Sequence, residues 1–474
     1  MSAVAGTVAT MLSRRVPNDQ AVNDPGISPM FGSRVMGSAI PRYDLPDGEL
    51  AARAAYQLIH DEMTLDGTPL LNLATFVTTW MEPEADKLQM ETASKNFIDQ
   101  EEYPITTVME RRCVSIIAGM YHAPSTGEQA VGTSTIGSSE AIHLGGMAMK
   151  RNWRKRREAA GQDGTKPNLV MSSAVHVTWE KFCRYFEVEC RQVPLAASRY
   201  VIDPEQAAAL CDENTIGVVG ILGTTYTGHF DPIEALDTVI GALNERTGWQ
   251  IPIHVDAASG GFVAPFTYPD LKWDFRLDNV HSINVSGHKY GLVYPGIGWA
   301  IWRTADDLPE ELIFHDNYLG NDQSTFDLNF SKGAGGVVGQ YYNLIRLGRA
   351  GYTAIMDNLF GTYDYLHSLV DSDNIQTVSE PGGLPLLCVH LRDETRFNSH
   401  DIADRLRQHG WIVPAYTMPA AIEDMSVLRV VIREGFSRDL ASKLVDDVAA
   451  ESARLRAEPP KHPAPHRPSK QRVC

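Results

Sequence analysis

The chain has 474 residues, 43% of them hydrophobic and 21% charged, an ordinary globular balance at a length that calls for two or three lobes. A formal net charge of −17 argues against nucleic acid or an anionic membrane as the main partner. Six cysteines stand without CxxC or Cys/His ligand spacing, so neither a metal site nor a disulfide framework is expected, and a reducing cytoplasm is the simplest location.

The amino-terminal MSAVAGTVATMLSRRV carries its arginines after the apolar run, the wrong order for a secretory signal, and no later apolar run is long enough to span a bilayer. Residues 1–70 are expected to form an arm, turn-rich around Pro17 and Pro25, then helical between Asp47, a plausible N-cap, and Asp66. Leu50, Ala54, Leu58 and Met63 give that helix one apolar face. In NLATFVTTW, Asn72 to Trp80, Thr75 and Phe76 follow an apolar turn, and Thr75 reads on its own as a cap or turn hydroxyl.

A large lobe is expected over 71–359. From Ser138 to Arg303 apolar strands alternate with helices. Strands are expected at 168–173, 188–193 and 215–222, and helices at 175–186, 204–211 and 232–246. Near-continuous apolar strands between helices predict a mostly parallel sheet covered on both faces, with ligands at the strand carboxyl ends. Neither GxGxxG nor GxxxxGK[ST] is present, so dinucleotide and nucleoside-triphosphate binding lack their fingerprints.

Gly137, Ser138 and Ser139 open a helix, where hydroxyls and backbone N–H groups serve as a cap or as a phosphate cradle. That helix closes on KRNWRKRRE, Lys150 to Glu158, read as a solvated terminus opposing the helix dipole. His176 opens another helix, and Thr225 sits in GTTYTG after a strand. The residues alone allow a cap for the first and an ST-turn for the second. In HVDAASGGF a buried run ends on Asp256, followed by Ala257, Ala258, Ser259 and Gly260. Such a carboxylate can face a flat ligand and hold a protonated ring nitrogen. Ser286, Gly287, His288 and Lys289 then form a turn between two strands, placing Lys289 as an amine nucleophile for Schiff-base chemistry.

His315 to Ser331 is rich in Gly, Asn and Asp at its centre, a loop suited to closing over a site, with Tyr318 either a lid residue or a core anchor. A long helix is expected from Gly335 to Asn358. A small α+β domain, 360–457, should hold strands at 386–391, 411–416 and 428–432 and helices at 399–408 and 438–457. Arg429 inside an apolar strand is costly to bury without a carboxylate ligand. The tail, 458–474, is proline-rich and basic and is expected to be disordered.

Together NLATFVTTW, NFIDQEEYP (Asn96 to Pro104), HVDAASGGFVAPF and SGHKYGLVYPGIGWAIWR resemble glutamate decarboxylases of the bacterial and plant type, in the group II pyridoxal-phosphate-dependent decarboxylases. The resemblance runs from about Pro41 to Ala457. It implies an aspartate-aminotransferase-like α/β fold (fold type I), pyridoxal 5'-phosphate as cofactor, and conversion of L-glutamate to 4-aminobutanoate with uptake of a proton. A homodimer or homohexamer with shared sites is also implied.

By the same resemblance Lys289, Asp256, His288 and Tyr318 are catalytic. Ser138, Ser139, Ser286, His288 and Ser331 of the opposite subunit surround the phosphate, while His176, Ala258 and Thr225 meet the ring or its phenolic oxygen. Arg429 takes the substrate α-carboxylate. Thr75, Phe76 and, from a neighbouring subunit, Asn96 and Asp99 take the distal one, Asp99 being useful there only if protonated or hydrogen-bonded. The chain ends Arg472-Val473-Cys474, with His462 and His466 further back and no Trp in the tail. Autoinhibition by a terminal histidine and calmodulin binding are therefore not expected. Another amino-acid decarboxylase, another lyase with the same cofactor, and a non-catalytic protein of the same fold are the alternatives.

Overall fold

The structure is a computed structural model that describes residues 43–46, 48–316, 323–371 and 373–458. Asp47, Tyr318, His462, His466 and the tail beyond 458 lie outside the described residues. The chain divides into two compact units, Met1–Thr68 and Pro69–Cys474. In the first, the helix spans Ala52–Met63, shorter than expected, with Ala51 at its N-cap and no side-chain cap. Ala54 is buried there, while Leu50 and Met63 are exposed.

The second unit is built on a seven-stranded sheet. Its strands are β1 (Val131–Thr135), β2 (Asn168–Ser172), β3 (Glu189–Val193), β4 (Thr215–Ile221), β5 (Ile253–Asp256), β6 (Val280–Ser286) and β7 (Gly298–Trp302), in the order β1-β7-β6-β5-β4-β2-β3. The pairs β2–β3, β2–β4, β4–β5 and β5–β6 are parallel. Only β7 runs against its neighbours, β1 and β6. Every residue of β2, β4 and β5 is buried, as continuous apolar runs require of parallel strands covered on both faces. The carboxyl ends of β1, β2, β4, β5 and β6 consequently emerge along one edge, and the helices Ser138–Ala159, Val177–Tyr185 and Ile233–Thr247 begin there.

Elsewhere the structure departs from the sequence pattern in particular ways. The segment read as a loop from His315 to Ser331 contains parts of a two-stranded ribbon, β8 (Phe314–Asp316) with β9 (Gln323–Thr325), and leaves it after Thr325. The helix expected to stop at Asn358 runs Gly335–Ser368, because Leu359, Tyr363 and Leu366 prolong its buried face, and it is broken at Gly348, whose φ of 57° is non-helical. Helices Pro83–Thr92 and Pro104–Met120 were not anticipated, although each opens on a proline in its first turn.

The second sheet, β10 (Ile375–Thr377), β11 (Leu386–Leu391), β12 (Ala415–Thr417) and β13 (Ser426–Val431), is antiparallel in the order β10-β11-β13-β12. The strand expected from Trp411 starts only at Ala415, because Ile412 instead pairs with Asn72 in a parallel bridge. The basic run is structural: Arg154, Arg156 and Arg157 donate to the carbonyls of Gly164, Gln250 and Asp163. No helix among the described residues is long and apolar enough to cross a membrane.

One contact fixes how closely a helix start approaches this sheet. Gly298 of β7 lies opposite Thr135 and Ser286, and a Cβ there would stand 2.6 Å from the carbonyl carbon of Gly137 and 2.8 Å from the nitrogen of Ser138. Backbone cannot swing aside as a side chain can. Gly298→Ala should therefore destabilise the protein by about 1–3 kcal/mol, read as a fall in calorimetric Tm. An unchanged Tm would show that the helix start is free to shift.

Candidate active site

A cavity of ≈ 610 Å³ opens at the carboxyl edge of the large sheet. At one end the helix Ser138–Ala159 starts from Gly137, at φ 153° and ψ 169°, a conformation that glycine alone adopts readily. Its first-turn N–H groups lack helical partners and carry the positive end of the helix dipole. Ser138 Oγ lies 2.8 Å from Ser286 Oγ at the end of β6, and Ser139 Oγ lies 3.2 Å from Thr178 Oγ1. This is an anion cradle. Glu140, in the same turn, is occupied elsewhere: it accepts from the backbone N–H of Ile136 (2.8 Å), Leu328 (2.9 Å) and Asn329 (3.2 Å).

Across the cavity Asp256, the last residue of β5, is 4% exposed. It accepts from Trp179 Nε1 at 2.9 Å, Asn284 Nδ2 at 3.0 Å and the Ala258 backbone N–H at 3.2 Å. A carboxylate so surrounded by donors is fixed in direction. His176 is both a cap and a wall of the cavity: its Nδ1 accepts from the Thr178 backbone at 3.3 Å, and its ring lines the same space. Burial, with the charge of Lys289, pushes its pKa below the usual histidine value, so the ring is a neutral plane. Thr225 and Ala258 also line the cavity.

Lys289 Nζ donates to Ser259 Oγ at 3.0 Å and lies 5.3 Å from the centre of the Phe76 ring. Burial depresses its pKa to about 8, with the Arg429 charge adding to the fall and Asp256 opposing it. His288 donates from Nδ1 to the Ile297 carbonyl at 2.8 Å, and burial lowers its pKa, leaving Nε2 bare. Arg429 of β13 is 7% exposed. It donates to the carbonyls of Thr225 and Ala74, while its Nε–H has no hydrogen-bond partner among the described residues. Its guanidinium lies 5.0 Å from the Phe76 ring, so Phe76 sits against both cations.

Other expected site residues stand apart. Thr75 Oγ1 accepts from the Val77 backbone at 3.1 Å, a turn hydroxyl as the residue alone suggested. Asn96 is bridged to Gly333, Asp99 donates its backbone N–H to the Asn96 carbonyl, and Ser331 is exposed. None of the four lines the cavity around Lys289, nor do Phe76 and Arg429, which are joined to the lysine through the Phe76 ring.

The donor set fits pyridoxal phosphate. The glycine-led helix start and the Ser138/Ser286 hydroxyl pair suit its phosphate, the buried Asp256 suits its ring nitrogen, and an amine of lowered pKa suits its aldehyde. Fold and site thus define a pyridoxal-phosphate enzyme of fold type I. Residues 46–392 match the pyridoxal-dependent decarboxylase conserved domain. The chain is 54% identical to glutamate decarboxylase 2 of Arabidopsis thaliana over 431 residues, 90% of this chain and 87% of that one. With glutamate decarboxylase of Lactococcus lactis subsp. cremoris the identity is 49%, covering 89% and 91%. The structure of Lactobacillus brevis glutamate decarboxylase superposes with a TM-score of 0.87 at 43% identity, covering 91% of this chain and 99% of that one. The chain belongs to the pyridoxal-dependent decarboxylase family.

Ser259, Trp179, Asn284 and Glu140 were not singled out from the sequence. Only Ser259 carried a signal, its place among the small residues after Asp256. Glu140→Gln should loosen the segment it holds, since bonds to a charged acceptor contribute about 1.5–3 kcal/mol each. Hydrogen exchange at Leu328 and Asn329 should quicken by about tenfold, the equivalent of about 1.4 kcal/mol. Unchanged exchange would mean that the carboxylate is not what holds them.

Proposed function

We propose that this protein decarboxylates L-glutamate to 4-aminobutanoate and carbon dioxide, taking up one proton per turnover. The observation that carries the proposal is Arg429, a buried guanidinium with an unused Nε–H beside the phenylalanine that also flanks Lys289. A carboxylate is the ligand that such a group lacks. The naming of relatives 54% and 49% identical as glutamate decarboxylases supports glutamate over other amino acids.

In this reading Ser138, Ser139, Ser286 and the helix start hold the cofactor phosphate, His176 and Ala258 confine the ring, and Thr225 lies beside its phenolic oxygen. Lys289 is the attachment point and Asp256 keeps the ring nitrogen protonated. Bound there, pyridoxal phosphate accepts the electron pair released when a bond to Cα breaks. Arg429 orients the α-carboxylate so that this bond, and no other, is aligned for cleavage. Return of a proton to Cα falls to Lys289, His288 or Tyr318. The distal carboxylate is held by Thr75, Phe76 and by Asn96 and Asp99 of a second copy, with Ser331 of that copy near the phosphate. Sites are thus shared in a homodimer or homohexamer. Because each turnover removes a proton from a cytoplasmic enzyme's surroundings, the activity would serve acid tolerance; unimpaired growth in acid after deletion of the gene would remove that role.

Purified protein supplied with cofactor should convert glutamate to 4-aminobutanoate in preference to aspartate, aromatic amino acids or cysteine sulfinate. Lys289→Ala should abolish the conversion. Arg429→Gln should lower kcat/KM by about 100-fold, the ~2.7 kcal/mol typical of leaving a buried carboxylate without its cation. Release of CO2 from none of these substrates would end this reading.

A pH dependence follows from Lys289. Only the free amine attacks an aldehyde, and with a pKa of about 8 against the ordinary 10.5 it is mostly ammonium below that pH and mostly amine above it. Capture of pyridoxal phosphate by the apoprotein, followed by absorbance, should accelerate as pH rises and level off above about 8. Continued acceleration toward 10.5 would show an unperturbed lysine.

A further inference from the structure

Next to Asp256, and not among the residues that line the cavity, lies a row of buried polar side chains that the reaction above does not use. In the register of β5 and β6, His254 pairs with Ser282 and Asp256 with Asn284. His254 is 1% exposed, Asn284 0% and Ser282 3%. His254 Nδ1 lies 2.7 Å from Ser282 Oγ, and its Nε2 lies 2.8 Å from Asn284 Oδ1. Asn284 Nδ2 in turn donates to Asp256 Oδ1 at 3.0 Å.

The direction of every bond in this row is forced. An ionised Asp256 can only accept, so Asn284 must turn its amide N–H toward it and its Oδ1 toward His254. That oxygen needs a donor, which makes His254 the Nε2–H tautomer and leaves Nδ1 to accept from the Ser282 hydroxyl. Burial lowers the His254 pKa, in keeping with a neutral ring. The ring is also locked in place. Trp179, itself a donor to Asp256, stands edge-on to it at 5.0 Å, and a Cβ on Gly145 would come within 2.6 Å of its Cε1.

We infer that His254 is a positioning residue for Asp256: through Asn284 it ensures that an N–H, never a carbonyl oxygen, meets the carboxylate opposite the cofactor ring nitrogen. Without the histidine donor the Asn284 amide keeps only its bond to Asp256, and a flip no longer sets its N–H groups against a ring N–H. A flipped amide sets oxygen against oxygen, and Asp256 must then rotate or take up a proton, losing its hold on a protonated ring nitrogen. The inference rests on the proposed reading of Asp256 as that nitrogen's partner.

The test compares wild type with His254→Leu, His254→Gln and Ser282→Ala. Apoprotein titrated with pyridoxal phosphate gives the cofactor Kd, and the loaded enzymes give kcat and KM for glutamate. His254→Leu should raise the cofactor Kd and lower kcat by about tenfold each, the order of magnitude seen when a residue that orients a ligand group is removed, with KM within about twofold. His254→Gln keeps an N–H toward Asn284 and should recover most of both losses. Ser282→Ala should show a smaller loss in the same direction.

Wild-type values in all three variants, or equal losses in the Leu and Gln variants, overturn the inference, since the second result would make packing and not the donor responsible. Should the Leu variant fail to fold, 15N spectra of imidazole-labelled wild-type apoprotein decide: the Nε2–H tautomer is expected, and Nδ1–H would overturn the assignment. If no CO2 is released from glutamate yet the Kd pattern holds, the substrate reading fails and the positioning role stands. The reverse pattern in an active decarboxylase sinks the positioning role alone.

Discussion

An amine withdrawn from water is the constraint around which this molecule is arranged. Lys289 reaches a pKa of about 8 because desolvation outweighs the attraction of Asp256, and because Arg429 adds a second cation to the same buried space. Two cations and one anion leave the region with unneutralised charge, which a low-dielectric interior tolerates poorly. Among the described residues the Arg429 guanidinium donates to the carbonyls of Ala74 and Thr225 and lies against the rings of Phe76 and Tyr416. In the proposed reading a substrate carboxylate would supply a further anion here.

Two features of the chain keep the lysine there. Parallel strands bring several carboxyl ends to one edge, and the glycines at 137 and 298 let a helix start press against that edge. The turn after β6 is also held from outside the sheet. Thr78 donates its backbone N–H to the His288 carbonyl at 2.9 Å and its hydroxyl to the Lys289 carbonyl at 2.7 Å. Arg433, 4% exposed, donates to the carbonyls of Pro69, Asn72 and Val77 and to Thr79 Oγ1. NLATFVTTW, read from the sequence as part of a substrate pocket, is therefore also the strap that fixes the backbone of the reactive lysine.

What the sequence revealed and what it hid follow from the range of the interactions. Lys289, Asp256 and Ser138 stand where apolar runs end, so local pattern exposes them, and the alternation of runs exposes the parallel sheet. Trp179, Asn284, Ser259 and Thr78 act through side-chain hydrogen bonds to residues 28 to 211 positions away, and no local pattern encodes such a pairing. Strand β10 is three residues long, too short for an alternation to register. The strand expected at Trp411 was shortened by a partner, Asn72, more than 300 positions upstream. The break at Gly348 was hidden because the helix holds other glycines, among them Gly339, Gly351 and Gly361, that do not break it.

The residues assigned to a neighbouring subunit's site carry a geometrical argument of their own. Asn96 and Asp99 come from one part of the chain and Ser331 from another, yet the structure joins them. Asn96 is bridged to Gly333, and the Phe97 N–H donates to the Lys332 carbonyl at 2.8 Å. Lys332, paired with Asp327, also donates to the Ser134 carbonyl of β1 at 3.0 Å, which ties the strip to the large sheet. Glu140 anchors Leu328 and Asn329 in that strip to the cradle turn. Asn96, Asp99 and Ser331, dispersed in sequence, are thus collected on one strip outside the cavity lining of their own chain, while Leu328 and Asn329 of the same strip reach that lining; this is the placement that the proposed sharing of sites between two copies calls for.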